Sequence, residues 1–247
     1  MKSIILCEGM TDCVLVQYFM RKVYGWDTEK TGERSQSKKL KKLRTFQNVN
    51  FPDRILEIAS SGGVSGLIPA FDFILEKNRY AANPESYDKI VIITDRDEIG
   101  TEYDFIKKIE KSLCDKEANF TEEIGNNRWI RIVYRNGQGT ECYCDLLLLI
   151  IPFGETGALE TFLLQCVSEN DDYDAEIIRK GNNFVDSIDP EKKYLSKRRY
   201  LTKSKFDVYF SVRTAAEQFT ERQNILKNVE WENYIKLQDS FEKLGDL

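Results

Sequence analysis

Histidine is missing from all 247 residues of this chain, and that absence narrows its chemistry more than any single motif. With no imidazole there is no Ser-His-Asp or Cys-His nucleophilic machinery, no H-E-x-x-H metallopeptidase and no nuclease built on a histidine base. Hydrolytic chemistry would have to draw on carboxylates, lysine, tyrosine or a metal ion. No G-x-x-x-x-G-K-(S/T) occurs, which excludes a P-loop. None of the six cysteines (Cys7, Cys13, Cys114, Cys142, Cys144 and Cys166) forms a C-x-x-C pair. Without histidine to complete a ligand set, a structural zinc site is not expected, and reduced, mostly buried thiols are. No apolar run approaches the ~20 residues of a membrane span. The N-terminus runs straight into a strand-like segment with no charged leader and no cleavage site, so retention in the cytoplasm and no membrane partner are expected.

What the chain does contain is typical of a globular protein, 41% hydrophobic and 31% charged. Its length accommodates one full domain with an appendage, or two small domains. Acidic residues recur after apolar runs. Glu8 and Asp12 follow Ser3–Cys7, Asp95 and Asp97 follow Ile90–Thr94, and Glu160 follows Leu146–Ile151. Such runs are long enough for a buried strand and too short for a typical helix. Ligands of doubly wound α/β folds sit at the carboxyl ends of parallel strands, so strands ending in carboxylates point several negative charges at one crevice. A cluster of that kind needs cations to stay ionised, and divalent metal suits its oxygen donors.

Spacing sharpens this. Glu8-Gly9-Met10-Thr11-Asp12 sets two carboxylates across a glycine turn into a helix, and Asp95-Arg96-Asp97 is a D-x-D at a strand end. In these motifs the chain resembles the Toprim domain, and within it the OLD-type nucleases, whose opening motif reads E-G-x-(S/T)-(D/E). Gly62-Gly63 after Ile55–Ala59 and Glu160 in the run from Pro152 extend the similarity, which covers about residues 3–165. The run from Pro152 also resembles small stand-alone Toprim-like bacterial proteins of unknown function. The resemblance implies a Toprim-like, doubly wound, mostly parallel sheet. It implies one or two Mg²⁺ or Mn²⁺ ions on Glu8, Asp12, Asp95 and Asp97, with Glu160 completing or orienting the set. Glu8 could instead serve as general acid/base, and Glu8, Asp95 and Asp97 are the catalytic candidates. OLD-type nucleases also use a lysine near the scissile phosphate, for which Lys197 and Lys203 are candidates by position. Such nucleases usually carry an ATPase and often dimerise. This chain departs by lacking the ATPase, which leaves a separate ATPase partner and a homodimer as expectations.

Each piece has a plainer explanation. An E-G after a strand and an isolated D-x-D are both common. Asp12 can be a first-turn acid favoured by the helix dipole, and Glu160 a solvated helix face. Thr94 and Gly62-Gly63 can be no more than a strand end and a helix turn. Order and placement together carry the reading.

Helical spacing of Val14, Leu15, Tyr18 and Phe19 places a helix over Thr11–Lys22, and further helices are expected near Leu67–Lys77, after Asp97, and over Gly157–Val167. Trp129–Tyr134 alternates like a strand. Residues 26–50 are polar and basic and read as a loop or insertion. The expected organisation is an α/β domain over 1–167, with a basic insertion at about 27–50, and a helical appendage over 168–247. In the appendage Asp207–Thr220 is imperfectly amphipathic, while Trp231–Leu247 carries a clean stripe of Trp231, Tyr234, Leu237, Phe241 and Leu244.

Net charge is −5, so the distribution of cations matters more than their sum. Arg34, Lys38, Lys39, Lys41, Lys42 and Arg44 form one basic cluster. Lys192, Lys193, Lys197, Arg198, Arg199, Lys203 and Lys205, interleaved with Tyr194 and Tyr200, form another. Cations that neutralise phosphates beside aromatics that stack on bases suit DNA or RNA; a solvated helix face is the alternative. Four readings stay open. They are a metal-dependent nuclease, by analogy an effector of phage defence or a toxin system; a non-catalytic Toprim-like scaffold binding metal, nucleotide or a partner protein; a D-x-D phosphatase; and, least favoured, a primase or topoisomerase.

Overall fold

The computed structural model describes residues 1–28, 38–80, 85–215 and 229–247. Eight strands form one mixed sheet in the order β2-β3-β4-β1-β5-β8-β7-β6. Its centre is parallel. β1 (Lys2–Cys7) lies between β4 (Ile55–Ser60) and β5 (Lys89–Asp95), and β8 (Glu141–Ile151) follows β5. These strands are continuous apolar runs because both of their faces are covered. Ile4, Leu6, Ile90, Ile92, Leu146, Leu148 and Ile150 pack beneath α2 (Val64–Tyr80) and α3 (Thr101–Asp115). The alternate residues Ile5, Cys7, Val91, Ile93, Leu147, Leu149 and Ile151 face α1 (Met10–Tyr24), α4 (Leu159–Asn170) and the C-terminal helices. A period of two thus divides each strand between two cores.

The margins are antiparallel: β2 (Trp26–Thr28) and β3 (Lys41–Asn48) on one side, β6 (Asn119–Phe120) and β7 (Trp129–Arg135) on the other. Two expectations are corrected here. The sheet is parallel only at its centre. The stretch at 26–50 is not all loop, since its described residues include two paired strands. β3 conceals itself in the sequence because only Phe46 and Asn48 of its eight residues are buried, and apart from the half-buried Leu43 the rest are cations and polar groups.

The chain leaves β1 through α1 toward β4, whereas from β4 it crosses β1 to reach β5 and continues toward β8. The direction of winding therefore reverses between β1 and β5. A crevice opens at such a switch point, at the carboxyl ends of the strands.

α4 runs on to α5 (Asp172–Ile188), and α6 (Arg198–Arg213) lies against both. Residue 167 falls inside α4, and the helices after it share one core with β1 and α1. Phe206, Tyr209 and Phe210 of α6 cluster with Trp231, whose ring lies 6.3 Å from that of Phe210. α6 begins and ends earlier than the expected Asp207–Thr220; Ala216 and Phe219 lie outside the described residues. The expected stripe from Trp231 is buried throughout, but on a chain broken into a 3-10 turn (Trp231–Asn233), α7 (Ile235–Phe241) and a second 3-10 turn (Glu242–Asp246). That last turn is fastened under the amino ends of the strands. Lys89 donates to Asp246 O at 2.7 Å, Arg54 to Leu247 O at 3.0 Å, and the Trp129 indole to Asp246 Oδ2 at 2.8 Å.

Fully burying an apolar side chain contributes about 1.5–3 kcal/mol. Leu237, with no exposed surface, belongs to the core shared with α1 and the sheet. Leu237→Ala should therefore cost about 2–5 kcal/mol by urea denaturation. Tyr173→Ala, at a side chain 76% exposed on α5, should stay within about 0.5 kcal/mol of the parent.

Candidate functional site

The switch-point crevice is a cleft of about 370 Å³ lined by Glu8, Asp12, Asp95 and Glu160, with Lys41, Lys42 and Lys203 among its other residues. Elements distant in the chain supply these groups.

Glu8 follows the central strand β1. Its amide donates to Ile93 O at 3.2 Å, and its carbonyl accepts from Gly63 N at 2.8 Å and from the hydroxyls of Ser60 and Ser61. The backbone at Glu8 thus ties together the ends of β1, β4 and β5. Gly62 and Gly63 make this turn with φ of +82° and +124°, values that L side chains rarely adopt. The Glu8 carboxylate accepts from Thr94 Oγ1 at 2.8 Å, which gives the buried threonine a definite partner.

Gly9 caps α1, and its amide donates to Asp12 Oδ2 at 2.5 Å, as an N3 acid does in a capping box. A side chain at position 9 would begin 3.1 Å from that oxygen, so glycine is what lets carboxylate and turn approach. Asp95 ends β5, and its Oδ1 accepts from Leu159 N at 2.9 Å, the first residue of α4. Glu160 follows on the same first turn and is buried.

These acids feel one another. Burial pushes the Asp12 carboxyl from its ordinary 3.8 up to about 7, with the charges of Glu8 and Glu160 adding to the rise and the Gly9 amide and Lys203 opposing it. Asp95 is also held well above the carboxylate range, by burial first and then by Asp12, Glu8 and Glu160. Beneath them, burial pushes the Cys7 thiol up, which keeps it neutral and un-nucleophilic.

Cations rim the acids. Lys41 and Lys42 are consecutive, yet both line the cleft. A β-bulge between Lys41 and Arg44, with Lys42 at φ +51°, breaks the alternation that would have sent one of them to the opposite face. Lys203 arrives from α6.

The remaining candidates lie elsewhere. Asp97 is exposed and ion-paired with Arg198, so the two acids of the D-x-D part company. Arg96 between them is bound to Pro152 O and Glu102 and straps the β5 end to the β8 end. Lys197 is the N-cap residue of α6, its ammonium 5.8 Å from the Tyr200 ring, and Arg199 donates to the Tyr200 hydroxyl. Neither Lys197 nor Arg199 lines the cleft. Lys38 and Lys39 are exposed ahead of β3, the latter 5.8 Å from the Phe73 ring. Arg44 donates to Gln17 Oε1 at 3.3 Å in an adjacent groove. Arg34 lies outside the described residues. Of the cysteines, Cys7, Cys13, Cys144 and Cys166 are buried and Cys114 is exposed, all with free thiols.

All four acids are hard oxygen donors, the kind that Mg²⁺ and Mn²⁺ take. Crowded carboxyls with raised pKa are what a divalent cation relieves. Among the described residues no three acidic, cysteine or histidine side chains already stand at metal-ligating separation.

With this geometry in view, the chain can be set beside known proteins. A family described as proteins of unknown function (DUF3226) matches residues 2–244. The chain belongs to that family. No curated protein matches it. Among solved structures it is similar to hypothetical protein PH0156 from Pyrococcus horikoshii OT3, at 15% identity and a TM-score of 0.57, over 98% of this chain and 94% of that one. The shared fold spans the cleft, the margins and the C-terminal helices of the DUF3226 chain. No helix among the described residues is long and apolar enough to cross a membrane.

The raised Asp12 carboxyl carries a pH signature. In the folded state it keeps its proton up to about pH 7, while unfolded it ionises near 3.9. The folded state therefore binds more protons between those values, and stability falls as pH rises through that window. Asp12→Asn keeps the acceptor for Gly9 N and removes the titration. In EDTA its Tm should exceed that of the parent at pH 8 by at least about 2–4 °C, the shift that each ~1 kcal/mol gives a chain of this size, with the difference closing toward pH 4, as read by thermal unfolding across pH.

Proposed function

We propose that this protein is a divalent-metal-dependent phosphodiester hydrolase of the Toprim type, a nuclease acting on DNA or RNA. One observation carries the reading: acids from β1, α1, β5 and α4 converge on a cleft whose rim is cationic. An acidic floor suits divalent cations, and a lysine rim suits phosphate oxygens. Acids after two adjacent parallel strands, at the point where the winding reverses, support the Toprim-like reading of the fold.

Glu8, Asp12 and Asp95, with Glu160 behind them, would hold Mg²⁺ or Mn²⁺. The bound metal would supply Lewis-acid stabilisation of the phosphoryl oxygens and lower the pKa of water. The chain's own groups do the rest. Thr94 orients the Glu8 carboxylate through its 2.8 Å hydrogen bond, which suits Glu8 to hold or move a proton at its oxygens. Leu159 N and the start of α4 fix Asp95. Lys203, with Lys41 and Lys42, neutralises the phosphate, and Lys203 replaces Lys197 as the lysine assigned to the scissile group. Asp97 has no part in this arrangement.

The phosphatase reading loses support at the same point. It needs both acids of the D-x-D at one reacting phosphate, whereas Asp97 is turned to Arg198. The non-catalytic scaffold keeps one observation in its favour, the absence of an assembled three-ligand group among the described residues.

Titration calorimetry with Mn²⁺ and Mg²⁺, with plasmid and RNA cleavage on the same samples, separates the readings. Asp95→Asn should weaken metal binding at least about tenfold, a loss of ~1.4 kcal/mol, and remove cleavage. Lys203→Ala should lower cleavage by about 10²-fold with metal affinity kept, as removal of one transition-state interaction does. Asp97→Asn should leave both within about twofold, as surface pairs contribute little. A parent protein that takes up no divalent ion at millimolar concentration would end the hydrolase reading and leave the scaffold.

A further inference from the structure

A second, larger groove of about 630 Å³ lies between α1 and the β2–β3 margin and borders the acidic cleft, since Met10 and Lys42 line both. Two periodicities meet in it. From α1 come Val14, Gln17, Tyr18 and Arg21, spaced three and four apart on one face. From β3 come Lys42, Arg44 and Phe46, alternate residues on the face that α1 covers. Arg21, Lys22, Lys42 and Arg44 give the lining four cations, against one acid, Asp27, which stands 3.5 Å from Arg21. Between these charges part of the surface is apolar. Val14, Tyr18 and the exposed Val49 lie over the buried Trp26 and Phe46. The Tyr18 hydroxyl donates to Glu232 at 2.7 Å, which fixes the ring.

We propose that this groove is the track on which a single-stranded nucleic acid lies while its scissile phosphate sits over the acidic cleft. The inference rests on the function proposed above and assigns that site's substrate a path. Rim cations neutralise successive phosphates, and an apolar floor accepts bases without regard to sequence. A duplex would offer the same rim only phosphates and leave the recessed apolar floor unfilled. A mononucleotide would not need a groove adjoining the cleft.

Binding in EDTA tests this without metal and without cleavage. Fluorescence anisotropy would follow end-labelled 12-nucleotide single strands of DNA and RNA, a blunt duplex of the same length, and competition by a mononucleotide. The parent should bind one or both single strands more tightly than the duplex. Arg21→Gln/Arg44→Gln should weaken single-strand binding about tenfold and reduce the salt slope by about 1.4, at ~0.7 for each phosphate no longer neutralised. Calorimetric metal affinity and Tm should be unchanged in the same variant, since both arginines are exposed. An unchanged single-strand affinity in the variant would overturn the track, as would duplex preference or a mononucleotide that competes as well as the strand. None of those outcomes touches the metal titration, and failure of that titration would leave the EDTA measurement standing.

Discussion

Carboxylates crowded at the carboxyl ends of the central parallel strands repel one another, and the surroundings of this cleft answer that repulsion. Asp12 lies against the Gly9 amide, Asp95 receives the first amide of α4, and Glu8 holds the Thr94 hydroxyl. Each contact gives one carboxyl a hydrogen-bond donor, yet Asp12 and Asp95 still sit well above the usual carboxylate range. The remaining imbalance is met by lysines from β3 and α6. A group of acids held this way stores unfavourable charge that protons or cations can relieve.

The two poles of the sheet do different work. At the amino ends of the strands, the last turn of the chain is bound by Lys89, Arg54 and Trp129. At the carboxyl ends, α6 brings Lys203 to the cleft and Arg198 to Asp97. The core shared by α1, α4, α6 and Trp231 connects the poles. The C-terminal segment is thus part of the packing that sets the cleft, and a loosening of that core would move a cation relative to the acids it faces.

The antiparallel margin adds a third element. β3 carries cations on the face toward α1, and its bulge directs two neighbouring lysines into the cleft while Arg44 enters the adjoining groove. The same charges border both cavities.

Much of this was legible in the residues alone. The buried strands declared themselves as apolar runs with turn signals behind them, and acids at their ends marked the crevice. Glu8, Asp12, Asp95 and Glu160 line one cleft, whereas Asp97, expected with them, does not. Other features were not legible. Asp95 and Asp97 have the same local signature, but only Asp95 meets the α4 amide, because that helix starts beside β5 in space and 64 residues later in sequence. β3 was hidden because a marginal strand needs little apolar content. Lys203 and Lys197 belong to one basic run, and the helical phase of α6 and its docking separate them. Arg21 and Arg44 come from a helix and a strand whose periodicities carry no mark of each other. Sequence determined which segments would be buried and which strand ends would carry acid, since periodicity and hydrophobicity are local properties. Tertiary structure decided which charges meet, because convergence depends on the register and packing of elements far apart in the chain.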